Sequence, residues 1–278
     1  MKFLRYGPVG EEKPGILDQQ GNVRDVSAHV SDWSGDALDP SHLATFDQAK
    51  IEACPYVEGT PRLGPCIAGT RNFIAIGLNY ADHAEEAGMQ TPAEPVMFSK
   101  APSSIAGPTD DLAYPKGATK LDWEVELAMI IGKAAYQVDE KIALDHVAGF
   151  CICNDISERA WQLEGTGQWV KGKSAPGFGP LGPWFTPPSH IPALNDLDLN
   201  LKVNGEIKQK GSTKTILFPP AFLISYVSRF LQLEPGDIIT TGTPAGVGMG
   251  MKPPQFLQEG DVIEAAITGL GHQKTRVV

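Results

Sequence analysis

The segment DWEVELAMIIG places Glu124 and Glu126 at alternate positions of an apolar run. In a strand they point to one face, and Val125, Leu127 and Met129 to the other. Two carboxylates about 6.5–7 Å apart along one face repel each other unless a cation or solvent lies between them. A solvated edge of a half-buried strand would also account for the pair. A second apolar run, FCICND, ends on Asp155, and chemistry-bearing groups concentrate where strands give way to loops. Three carboxylates with no accompanying Cys or His set suit Mg2+ or Mn2+, which prefer oxygen ligands. A two-carboxylate glycosidase is the other chemistry open to such a pair. Same-face neighbours on one strand cannot easily flank a sugar bond, which counts against it.

GLNYADHAEE sets His83 and Glu86 three residues apart on a short helix, close enough to touch. A carboxylate orients an imidazole and raises its basicity, as a general base for water requires. A solvated surface pair has the same spacing. Arg159 and Gln162, just after Asp155, repeat it and could equally be a cap and surface polar residues. The run WVKGKSAPGFGPLGPW reads as a Gly/Pro-rich loop carrying Lys171, Lys173 and Ser174. With Lys100 and Arg159 these could supply the positive charge that a small anionic substrate needs on an acidic protein. TTGTPAGVGMG (240–250) matches neither the P-loop nor the dinucleotide fingerprint. Its backbone N–H groups and Thr243 could bind a carboxylate, and a tight turn before Pro253-Pro254 is the plainer reading.

The elements that must position these groups are mostly strands. Residues 73–77, 96–99, 124–132, 150–155, 199–203, 237–242 and 261–267 read as strands, and Asn204-Gly205 signals a type I′ hairpin turn. Helices are expected over 81–88, 139–148, 156–164 and 219–232, the last opened by Pro and closed by Pro235-Gly236. Strands and helices in no regular alternation predict an α+β fold. The first 68 residues differ, being short apolar pieces broken by Gly, Pro and Asp, with a hairpin over 15–26 and a linker over 55–68. They predict a small β-rich N-terminal domain, 1–68, ahead of a catalytic domain, 69–278.

Composition narrows the partners. The chain has 278 residues, 42% hydrophobic and 20% charged, with a formal net charge of −10. An acidic chain without a basic run argues against nucleic acid. No apolar stretch approaches a membrane span, and the N-terminus lacks the apolar core of a signal peptide, so a cytoplasmic protein is expected. Cys54, Cys66, Cys151 and Cys153 form no metal-binding spacing; Cys151 and Cys153, alternating on a strand, read as small buried hydrophobes, and a reducing compartment fits.

The ordered motifs GLNYADHAEE, EPVMFSKAPSS, DWEVELAMIIGK, CNDISERAWQ, WVKGKS, LKVNGE and GDIITTGTPAGVG resemble the fumarylacetoacetate hydrolase family over roughly residues 70–278. The resemblance implies a mixed β-sandwich-like roll around one Mg2+ or Mn2+, in a homodimer. It implies Glu124, Glu126 and Asp155 as metal ligands, and His83 with Glu86 as the water-activating dyad on a lid helix. It also implies Lys173 as the catalytic lysine of the W-x-x-x-K-S run, Thr243 as the TGTP threonine and Gln162 as a polar residue near the metal, while Arg159 and Lys100 are candidate substrate contacts on charge alone. The expected reaction is metal-dependent C–C hydrolysis of a small 2,4-dioxo acid to pyruvate and a second acid. Ureidoglycolate cleavage or oxaloacetate-type decarboxylation on the same metal is the alternative, and a non-catalytic binding β-domain the reading from another class. MKFLRYGP, GQWVKGKS, GSTKT and GVGMGMKPP further resemble the family's sugar-acid branch, the 2,4-diketo-3-deoxy-L-rhamnonate and -fuconate hydrolases, whose relatives are often labelled ureidoglycolate lyase.

Overall fold

The computed structural model describes residues 1–86, 90–191 and 193–278, apart from the side chains of His83 and Ala84. Three strands open the chain, β1 (Phe3–Tyr6), β2 (Lys13–Leu17) and β3 (Val23–Asp25), followed by short helices α1 (Pro40–Leu43) and α2 (Gln48–Ala53). Next come β4 (Phe73–Gly77), α3 (Ala81–Glu86), β5 (Val96–Lys100), β6 (Ile105–Ala106), β7 (Leu121–Asp122), β8 (Val125–Ile131) and β9 (Val147–Asn154). They lead to β10 (Ser157–Glu158), α4 (Arg159–Leu163), α5 (Val170–Lys173), β11 (Gly179–Thr186), β12 (Asp198–Val203) and β13 (Glu206–Ser212). The chain closes with α6 (Pro220–Ser228), β14 (Ile238–Thr240), β15 (Val262–Ile267) and β16 (Gly271–Arg276). The architecture is predominantly β with few helices.

One large sheet runs β3-β2-β1-β11-β9-β8-β14-β4-β5, with β6 beside β11, and a second runs β13-β12-β15-β16. In β8, alternation separates Val125, Leu127 and Met129 from Glu126, Ala128 and Ile130. The first set packs with Leu199, Leu201, Ile263 and Ala265 of the second sheet and with Leu223 and Val227 of α6. Ala128 and Ile130 pack with Phe3, Trp33 and Phe46 of the N-terminal segment and with Cys151 and Cys153. Phe3 meets Trp33 edge-on at 5.0 Å and stacks on Phe185 at 5.0 Å. Both faces of β8 are therefore covered, and the solvated-edge reading of Glu124 and Glu126 does not hold. The N-terminal hairpin continues the main sheet through β1 against β11. Cys66 and Ile67, inside the expected linker, are buried in the same core as Trp33. All four cysteines are free and buried.

Asn204 and Gly205 adopt φ of +53° and +82° between β12 and β13, as a type I′ turn requires. The segment expected to be helical over 139–148 is instead a 3-10 helix, Glu140–His146, and β9 begins at Val147. Strand β11 lies in the expected Gly/Pro loop. Its pairing with β9 shifts register between Gly182 and Thr186, which accommodates a proline that cannot donate to the ladder. Gln273 of β16 donates to the carbonyls of Ile152, Pro180 and Gly182 at 3.0, 3.0 and 3.1 Å. A buried polar side chain thus satisfies backbone acceptors that this irregular strand leaves open. Among the described residues, no helix is long and apolar enough to cross a membrane.

Candidate metal centre and pocket

Pairing of β8 with β9 brings the three carboxylates together. Val125 sits opposite Asn154. The Asp155 N–H donates to Glu124 O at 2.8 Å, and Asn154 Oδ1 accepts from Glu124 N at 3.0 Å. Asp155 is thereby fixed beside the start of β8. Glu124, Glu126 and Asp155 each offer an oxygen, and these lie within 4.8 Å of one another. All three side chains are buried.

Three buried cations surround the cluster. Lys173 Nζ donates to Glu124 Oε2 at 2.6 Å and Asp155 Oδ2 at 2.8 Å. Arg159 donates through Nη2 to Glu124 Oε1 at 2.6 Å and through Nε to Asp122 Oδ2 at 2.8 Å. Lys100 donates to Asp155 Oδ1 and to the carbonyls of Lys173 and Phe178. Burial lowers the Lys173 pKa, but Asp155 and Glu124 more than offset this, so the ammonium is held above the usual lysine range. Glu126 fares differently. Burial, then Asp155 and Glu124, push its carboxyl well above the usual carboxylate range, and its Oε2 accepts from Gly242 N at 3.0 Å.

Four buried carboxylates, Asp122 included, thus face three buried cations. The excess negative charge falls on Glu126, the one member of the triad that no lysine or arginine contacts among the described residues. An all-oxygen donor set with uncompensated charge fits a hard divalent cation. Glu124, Glu126 and Asp155 are the residues that could hold it.

Glu124 and Glu126 of the cluster line a pocket of about 290 Å³, together with Arg159, Gln162, Lys173, Thr243 and apolar side chains. Lys173 reaches the cluster because Gly172 lets α5 lie against α4; a Cβ there would stand 2.5 Å from Gln162 N. Lys171, one turn position away, is exposed. Gln162 Oε1 accepts from Arg159 Nη1 at 3.0 Å, and its Nε2 makes no hydrogen bond among the described residues. The Thr243 hydroxyl donates to Val125 O at 2.9 Å and accepts from Gln209 Nε2 at 2.7 Å. It lines the pocket while serving the strand. Lys100 does not line the pocket. Its three N–H bonds are spent beneath Asp155, so its expected place against the substrate is corrected to a support for that carboxylate.

Glu86 is joined to the site through the glycine-rich loop. Its Oε1 accepts from Gly246 N at 2.9 Å. The same loop is held at Gly248 and Met249, whose N–H groups donate to Asp122 at 2.7 and 3.0 Å, and Asp122 holds Arg159 against Glu124. The side chain of His83, the expected partner of Glu86, lies outside the described residues. Asp122 was not singled out from the sequence, although it continues the same alternate positions as Glu124 and Glu126. Trp169, which lines the pocket, was overlooked inside the WVKGKS run.

A Cβ at Gly250 would stand 2.4 Å from Glu86 Cδ. The obstructed atom ends a flexible side chain, so Gly250→Ala should leave melting temperature nearly unchanged. Displacing the Glu86 carboxylate should instead lower kcat on the order of 10–100-fold, read by steady-state kinetics beside a thermal melt.

The model of the fumarylacetoacetate (FAA) hydrolase C-terminal family matches residues 72–278. A Burkholderia lata protein is 53% identical over 274 residues, 98% of this chain and 97% of its own. The solved fumarylacetoacetate hydrolase of Exiguobacterium antarcticum has a TM-score of 0.86 at 39% identity, covering 100% of this chain and 99% of that one. A maleylpyruvate hydrolase from Sphingobium sp. SYK-6 has a TM-score of 0.83 at 26% identity, with 100% and 99% covered. With the motif order, the sheet topology and the buried acidic triad in agreement, the chain belongs to the fumarylacetoacetate hydrolase family.

Proposed function

We propose that this protein is a divalent-metal-dependent hydrolase that cleaves the C3–C4 bond of a small 2,4-dioxo acid, giving pyruvate and a second acid. The observation that carries this reading is the buried triad of Glu124, Glu126 and Asp155, two of whose members, Glu124 and Glu126, line a small pocket beside Lys173. Likeness to a maleylpyruvate hydrolase supports an acylpyruvate-type substrate. Glu124, Glu126 and Asp155 would hold one Mg2+ or Mn2+. When bound, such an ion supplies Lewis-acid charge that polarises an oxo group.

The chain's own residues divide the remaining work. Arg159, backed by Asp122, fixes Glu124, and Gly242 N–H fixes Glu126. Gln162 Nε2 is available to a substrate oxygen. His83, oriented by Glu86, takes a proton from water, and the hydroxide adds to the C4 carbonyl. The C3–C4 bond breaks with its electron pair left on C3, giving the enolate of pyruvate. The Lys173 ammonium supplies positive charge near that enolate. Protonation at C3 completes pyruvate, and the acyl group leaves as the second acid.

The rival on the same residues is a lyase or decarboxylase, which needs no activated water. The protein incubated with a 2,4-dioxo acid and Mg2+ or Mn2+ should release pyruvate, and EDTA should stop it. Turnover of oxaloacetate or ureidoglycolate alone would overturn the hydrolase reading.

A further inference from the structure

The pocket has two chemically distinct sides. One is the charged cluster. The other, among the described residues, is Ile76, Leu78, Phe98, Leu163, Trp169 and Met249. Every charged side chain in the lining already belongs to the cluster. The Thr243 hydroxyl is engaged with Val125 and Gln209, and Lys100 lies beneath Asp155. No ammonium, guanidinium or uncommitted hydroxyl among the described lining residues stands on the far side to receive a second carboxylate or a polyol. Buried without partners, such groups are strongly disfavoured.

Two features mark this wall as built rather than incidental. Leu78 has φ of +55°, a left-handed conformation that glycine adopts freely and a branched side chain resists. The next residue, Asn79, is pinned: its Nδ2 donates to Thr241 O at 2.7 Å and Phe218 O at 3.1 Å, and its Oδ1 accepts from Phe218 N at 2.8 Å. A leucine is thus kept at the pocket where glycine would fit the backbone better. Trp169 packs edge-on to Phe98 at 5.1 Å and lies over Gly77, where a Cβ would meet its ring at 2.8 Å. Phe98 joins this wall to the charged side, its ring centroid 5.3 Å from Lys173 Nζ.

We infer that the substituent on C4 of the substrate is apolar, a branched alkyl or aryl group, and that Leu78, Phe98 and Trp169 select it. The inference rests on the reading of this pocket as a 2,4-dioxo acid site. It runs against the sugar-acid resemblance, since among the described residues of this wall a polyhydroxylated tail would find a single side-chain donor, the Trp169 indole N–H, and no side-chain acceptor.

The test is kcat/KM of the metal-loaded full-length protein on 2,4-dioxobutanoates bearing methyl, isobutyl or phenyl at C4, beside maleylpyruvate and a polyhydroxylated analogue. The isobutyl or phenyl acid should exceed the carboxylate- and polyol-tailed acids by at least about 10-fold. Leu78→Arg should shrink or invert the preference by raising turnover of the carboxylate-tailed acid. Leu78→Asn, a residue that tolerates this left-handed backbone, should narrow the preference while circular dichroism and a cooperative thermal melt show the fold retained, which separates selection from folding. Equal or faster wild-type turnover of the carboxylate- or polyol-tailed acids would overturn the inference and leave the hydrolase reading standing. Failure to cleave any 2,4-dioxo acid would overturn both.

Discussion

Glu126→Gln should abolish metal binding and lower kcat/KM at least ~10³-fold, a loss of several kcal/mol of transition-state stabilisation. Glutamine nearly matches glutamate in volume, so the buried site keeps its packing and loses only charge and a ligand oxygen. The same substitution should not destabilise the metal-free protein. Burial and the neighbouring Asp155 and Glu124 raise the Glu126 pKa. A raised pKa means the folded state binds this proton more tightly than the unfolded state. Its contribution to stability is therefore present at low pH and is lost as pH rises through the folded pKa. In EDTA, wild type should lose stability relative to Glu126→Gln as pH climbs above the ordinary carboxylate range. Saturating Mg2+ or Mn2+ should reverse the order, adding about 2.7 kcal/mol to wild type at 100 times Kd and nothing to the variant. Elemental analysis showing full metal occupancy in Glu126→Gln would remove this residue from the centre.

His83→Ala should reduce dioxo-acid hydrolysis by ~10²–10⁴-fold, the usual contribution of a positioned general base. The helix that carries it, α3, is tied through Glu86 and the Gly246 N–H to the loop that Asp122 anchors. Helix α3 is therefore joined to the network that also holds Arg159 and Glu124. Metal content should be unchanged in this variant, because the proposed ligands are Glu124, Glu126 and Asp155. A lyase or decarboxylase on the same residues would lose little, since it activates no water. Unchanged kcat for C–C hydrolysis would take His83 out of the mechanism.

The acidic triad was legible in the sequence because strand alternation places Glu124 and Glu126 together, and an apolar run delivers Asp155 to a loop. Their burial was not, since it depends on the N-terminal segment and the second sheet covering opposite faces of β8. Lys100 was misplaced for a related reason. Only the packing of β5 and its neighbours puts its ammonium under Asp155 rather than in the pocket. Strand β11 was hidden by Pro180, Pro183 and its glycines, whose open carbonyls are met by Gln273 from a distant strand. β16 was hidden because Gln273 and Thr275, polar by type, are its buried positions. Asp122 was within reach, lying in phase with Glu124 and Glu126. The apolar wall was not, because it is assembled from distant segments and Leu78 enters it through a left-handed φ that its residue type does not signal.

The central claim, metal-dependent hydrolysis of a carbon–carbon bond, is tested most directly by product stoichiometry on a 2,4-dioxo acid. Hydrolysis predicts pyruvate and the second carboxylic acid in a 1:1 ratio without CO2, with release stopped by EDTA and restored by Mg2+ or Mn2+. Release of CO2 in place of the second acid, or the same rate in EDTA as in metal, would contradict it.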